Sequence, residues 1–183
     1  MSPTYPPVVK QLLVKAPPAR AFQRFTAEMG TWWPLRSHSV FEGEADRVTF
    51  EGRVGGRIVE STPDGRDSVW GTVRLWDPPR RVAFTWHPGH ASEKAQDVEV
   101  TFTPEAGQTR VQLTHTGFER LGKKQGRIAS RAYGIGWEYV FGLYGERRGL
   151  LMATLGTLTN MLLAIRAWRR PKPARAGGRQ PAR

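Results

Sequence analysis

The chain has 183 residues, no cysteine and a formal net charge of +12. That length supports one domain with a sizeable core, and the missing cysteine excludes disulfides, thiolate metal sites, iron–sulfur clusters and thiol nucleophiles. The charge invites a nucleic-acid reading, yet seven basic and no acidic residues lie between Arg166 and Arg183, leaving 12 − 7 = +5 for residues 1–165, so nucleic acid is not favoured as a partner.

In chain order, Met1 to Pro7 has neither the basic nor the apolar region of a signal peptide, and a cytoplasmic location is expected. Val8–Val14 is apolar on nearly every position and reads as a first strand. Pro17 and Pro18 stop it and start a helix, because proline is tolerated where a first-turn N–H has no partner. Ala21, Phe22 and Phe25 give that helix one apolar face, and Gly30 ends it. Trp32 and Trp33 precede Pro34, which forbids helical geometry at Trp33, and residues 35–46 read as an ordered loop.

Strand character resumes at Arg47–Glu51 and at Arg57–Glu60, with a turn or bulge at Val54-Gly55-Gly56. Pro63-Asp64-Gly65 turns the chain into four runs with period-two alternation: Val69–Trp76, Arg81–Trp86, Val98–Thr103 and Thr109–His115. Asp77-Pro78-Pro79-Arg80, residues 89–94 and Pro104 to Gly107 separate them, so an antiparallel meander is expected. From about Arg127 to Arg147 the period becomes helical, through Ile128, Tyr133, Ile135, Trp137, Val140, Phe141 and Tyr144. Gly134, Gly136, Gly142 and Gly145 weaken such a helix by about 1 kcal/mol each. It must be held by packing or let something approach its backbone. Gly149–Ile165 is uncharged for seventeen residues, with a stripe of Leu151, Leu155, Leu158, Leu162 and Ile165. It reads as a packed or dimerising helix, or as one that touches a membrane.

An ordered string of motifs runs through this frame: Trp32-Trp33-Pro34 with His38-Ser39, Phe50-Glu51 with Gly55-Gly56-Arg57 and Glu60, and Trp70-Gly71 with Trp76-Asp77-Pro78-Pro79-Arg80. Phe84-Thr85-Trp86, Thr114-His115-Thr116-Gly117-Phe118-Glu119 and Gly136-Trp137 continue it. Over residues 8–148 the chain resembles the SRPBCC or START-like superfamily, in the branch named after the activator of heat-shock-protein-90 ATPase. The resemblance implies an α+β helix-grip fold, in which a curved antiparallel sheet wraps a long C-terminal helix around a hydrophobic cavity. It also brings stress response and a chaperone partner as a reading. Phe118 stands where the family often carries tryptophan. Residues 149–170, expected to form an apolar helix, and 171–183, expected to be a disordered basic tail, lie beyond the pattern.

Candidate chemistry is sparse. His87 and His90 could share a metal, but no third ligand accompanies them at recognisable spacing, so neither metal nor cofactor is expected. His115 shares the alternation of Val111 and Leu113 and so points inward, where it would contact a ligand, act as general base or be a satisfied core group. Glu60 sits beside apolar Ile58 and Val59. Inward it would be an acid or base of raised pKa, and outward it would pair with Arg57 or Arg74. His38 either caps its loop or lines a pocket. Of seven tryptophans, Trp86 and Trp137 are expected to face each other across the cavity.

The expected lining is therefore Val73, Phe84, Trp86, Phe102, Leu113 and His115 from the sheet, with Trp32, Trp33, His38, Glu60 and Trp137 around it. With no assembled catalytic set, a binder of an apolar small molecule is favoured over an enzyme. The alternatives are a chaperone-interacting module, a homodimer, a cyclase or hydrolase using His115 or Glu60, and membrane contact through Gly149–Arg170.

Overall fold

A computed structural model describes residues 5–146. The expectations for residues 149–170 and 171–183 lie outside them. Seven strands form one antiparallel sheet: β1 (Val8–Val14), β2 (Arg47–Phe50), β3 (Arg57–Ser61), β4 (Asp67–Asp77), β5 (Arg81–Trp86), β6 (Gln96–Glu105) and β7 (Gln108–Thr116). The order is β1-β7-β6-β5-β4-β3-β2, so the hairpin meander is completed by β1 pairing with β7, Val8 opposite His115 and Val14 opposite Thr109. The β6–β7 pair shows why alternation was readable: Val98, Val100, Phe102, Val111, Leu113 and His115 are buried, and residues between them are not.

Helix α1 (Pro18–Phe25) begins with proline in its first turn and buries Ala21, Phe22 and Phe25. It ends at Thr26, whose N–H and hydroxyl both donate to the Phe22 carbonyl. Phe22 meets Trp76 and Phe102 edge-on, at 5.0 and 5.1 Å between ring centroids. Helix α2 (Lys123–Tyr144) starts four residues before the apolar period does, because Lys123 to Gly126 carry no apolar face to betray them. It buries Trp137, Val140, Phe141 and Tyr144 against the sheet and α1. Tyr144 donates its hydroxyl to the Ala21 carbonyl at 2.9 Å, and Lys10 pairs with Glu138 at 2.8 Å.

The glycines of α2 divide by place. A Cβ on Gly126 would lie 2.4 Å from the Phe118 carbonyl oxygen, so here the backbone is approached closely. At Gly134 and Gly136 a Cβ would meet nothing within 4 Å. A curled seven-stranded antiparallel sheet holding one long C-terminal helix is a helix-grip architecture. Among the described residues no helix is long and apolar enough to cross a membrane.

Candidate functional site

The end of the sheet that carries Trp70 and Trp86 is packed with rings. Trp33, delivered by the turn before Pro34, lies 5.1 Å from Trp70, 5.6 Å from Trp86 and 5.9 Å from Trp137. Trp86 and Trp137 do face each other, and at 5.6 Å their rings are in contact with no open space between them. Val73, Phe84, Phe102 and Leu113 belong to the same buried cluster. Trp32 joins it beside Phe25 and Tyr144, donating its indole N–H to the Arg24 carbonyl at 2.7 Å.

Glu60 points inward and is fully buried, which removes the outward pairing with Arg57 or Arg74. The arginine at 57 pairs with Glu51 instead. The Glu60 carboxylate accepts three hydrogen bonds, from the backbone N–H groups of Val40 and Phe41 at 2.8 and 2.7 Å and from Trp70 Nε1 at 2.6 Å. It therefore clamps the loop before β2 to the sheet. His38 lies in that loop, within reach of Ser37 Oγ at 2.9 Å and against the Tyr139 ring at 5.2 Å. Burial pushes its pKa down to about 4.

His115 is fully buried between Phe118, Tyr133 and Trp137. Trp137 Nε1 can only donate, so His115 Nδ1, 2.9 Å away, must accept. The neutral ring then carries its proton on Nε2, and burial holds the pKa down to about 3. In this state His115 accepts from Trp137 through Nδ1 and has its Nε2–H left to donate. His115 Nε2, Trp86 Nε1 and His38 Nε2 are buried with no hydrogen-bond partner among the described residues. Each such group costs about 1–3 kcal/mol. His87 Nδ1 lies 3.1 Å from the His90 carbonyl, within its own turn.

Open space lies at the other end of the sheet. A groove of about 430 Å³ runs between α1 and the β4–β5 turn. One wall is Ala19, Phe22, Gln23, Thr26 and Ala27; the other is Phe50, Gly52, Trp76, Pro78 and Pro79. Trp76 in that second wall lies 5.0 Å from Phe22 and 6.0 Å from Phe50 between ring centroids. No lining residue is ionisable, and the Thr26 hydroxyl is spent on its own helix. The groove can bury flat apolar surface and has no acid or base to offer. None of the residues expected from sequence to line a pocket lies in it. The groove residues come from three separate stretches, each of which reads alone as a helix face, a strand end or a turn.

A family model described as "Activator of Hsp90 ATPase homolog 1-like protein" matches residues 15–141. No curated protein matches the chain by sequence. Among solved structures, protein MLL2253 from Mesorhizobium loti is 20% identical over 77% of this chain and 95% of its own, with a TM-score of 0.57. The Aha1 dimer from Colwellia psychrerythraea is 15% identical over 79% of this chain and 100% of its own, with a TM-score of 0.52. An anthrahydroquino-Gama-pyrone synthase, Txn09, complexed with SUM, is 35% identical over 69% of this chain and 86% of its own, with a TM-score of 0.50.

Proposed function

This chain belongs to the family of activator of Hsp90 ATPase homolog 1-like proteins, and on that premise we propose that it is a non-catalytic binding module for a flat, oxygenated aromatic small molecule, seated in the groove between α1 and the β4–β5 turn. The observation that carries this reading is the groove itself: about 430 Å³ of space walled by Phe22, Phe50, Trp76 and two prolines. Ligand sites of this kind are apolar, concave and of a few hundred Å³. Stacking on the Trp76 indole favours a planar ring system over an acyl chain. The 35% identity to a synthase of an anthrahydroquino-γ-pyrone supports the same ligand class. A lining without an ionisable side chain supports binding over turnover in this groove.

Titration of the full chain with a dihydroxyanthraquinone, followed by tryptophan fluorescence, tests the reading. Saturable quenching is expected. Trp76→Ala should weaken binding by tenfold or more, about 1.4 kcal/mol. Ala27→Phe, a change at an exposed position on the groove wall, should block it while leaving the melting temperature in place. Quenching that survives Ala27→Phe would remove the groove as the seat, and none at all would remove the ligand class.

A further inference from the structure

Helix α2 presents a second face, opposite its core side. With 3.6 residues per turn, Lys124, Ile128, Arg131 and Ile135 stack into one stripe by spacings of four, three and four. The buried residues Gly126, Trp137, Val140 and Tyr144 lie on the other side. Ile128 is 60% and Ile135 39% exposed, two of the few large apolar side chains left in water among the described residues. Arg127 flanks the stripe and Lys123 precedes it. None of these four cations makes an ion pair with a described residue. The one acid of α2, Glu138, is committed to Lys10.

The charge balance makes the face distinctive. Residues 1–146 contain 19 Lys and Arg against 16 Asp and Glu, a net of +3. Removing Lys123, Lys124, Arg127 and Arg131 leaves 15 − 16 = −1, so the whole positive excess of the described body sits on this half-helix. We propose that this face of α2 docks on an anionic lipid bilayer, the isoleucines entering between headgroups while the cations meet lipid phosphates. A bilayer surface supplies both chemistries side by side. Nucleic acid would satisfy the cations and leave the isoleucines in water. A second copy would bring the same cations together with no acid to offset them.

The full chain is to be sedimented with vesicles of phosphatidylcholine alone and of phosphatidylcholine with one-third phosphatidylglycerol, at physiological salt. Each cation near such a surface favours binding by a factor of about five. Wild type is expected to partition onto the anionic vesicles, and Lys124→Glu with Arg127→Glu and Arg131→Glu to lose about a hundredfold or more. Ile128→Ser with Ile135→Ser keeps every charge and should lose several-fold. The basic stretch from Arg166 to Arg183 is identical in all three proteins, so the differences report on the face alone. Failure of wild type to bind anionic vesicles overturns the proposal, as does equal partition of wild type and either variant. So does a dimer on gel filtration that the isoleucine substitutions dissolve. Duplex DNA binding as tight as vesicle binding, lost with the charge variant and kept with the isoleucine variant, would assign the cations to nucleic acid instead.

Discussion

Glu60 shows how a side chain with acid–base chemistry can hold a loop against a sheet. A fully buried carboxylate in an interior of aromatic rings is what an acid–base residue requires, but its oxygens accept from Val40, Phe41 and Trp70. Those three donors have no other described partner, so deleting the acceptor leaves them unsatisfied at about 1 kcal/mol or more each. Glu60→Ala is therefore expected to destabilise the fold by about 3 kcal/mol or more. Glu60→Gln, which turns an amino group toward the same donors, should cost about 2 kcal/mol. Urea unfolding followed by tryptophan fluorescence measures both. A loss below about 1 kcal/mol for the alanine variant would show that the clamp is not what holds the loop. The facing of Glu60 was not legible in the sequence, because Ile58, Val59, Glu60 and Ser61 are buried in succession beside a register shift. No period of two exists over those four residues.

At the scale of elements, glycines of opposite consequence share one chain. Gly71 lies in β4 just before the shift in the β4–β5 register, and a Cβ there would sit 1.8 Å from the Thr85 carbonyl oxygen. Backbone cannot yield as a flexible side chain can, so Gly71→Ala should cost about 3 kcal/mol by forcing the two strands apart. Gly134 is in mid-helix with open space around it, and Gly134→Ala should raise stability by up to about 1 kcal/mol. Thermal unfolding by circular dichroism reads both signs, and a stabilised Gly71→Ala would contradict the packing described for β4 and β5. The strands were legible because one face of each is buried, which writes a period of two into the sequence. The helix ends and the groove were not. Lys123 to Gly126 are helical without apolar periodicity, and the groove unites α1 with Trp76 and Pro78-Pro79, which only the folded chain brings together. Composition does not distinguish a tryptophan that lines a pocket from one that packs on another ring, and here Trp33 meets Trp70 and Trp86 meets Trp137.

For the molecule as a whole, two histidines, fully buried His115 and half-buried His38, couple folding to protons. His38 and His115 hold pKa values of about 4 and about 3 because burial disfavours the imidazolium, whereas an unfolded histidine titrates near pH 6.5. Below that value the unfolded chain takes up two protons that the folded chain refuses, so the equilibrium moves toward unfolding as pH falls. The stability these groups retain is complete above about pH 6.5 and drains away as pH falls from there toward 4, at a rate approaching 3 kcal/mol per pH unit. The exposed carboxylates lowered by arginine partners, such as Asp77 beside Arg80, respond only at still lower pH. Melting temperature measured from pH 7.5 to 4.5 should therefore fall steeply within the histidine window. His115→Gln isolates one of the two protons, since the glutamine carbonyl can still accept the Trp137 N–H while nothing at the position titrates. Its stability should lose about half of the slope between pH 6 and 4.5. If wild type and variant show the same slope, His115 takes its proton without unfolding. The buried ring would then open to water inside the native state, and the Trp137–His115 contact would be the seam along which the interior parts.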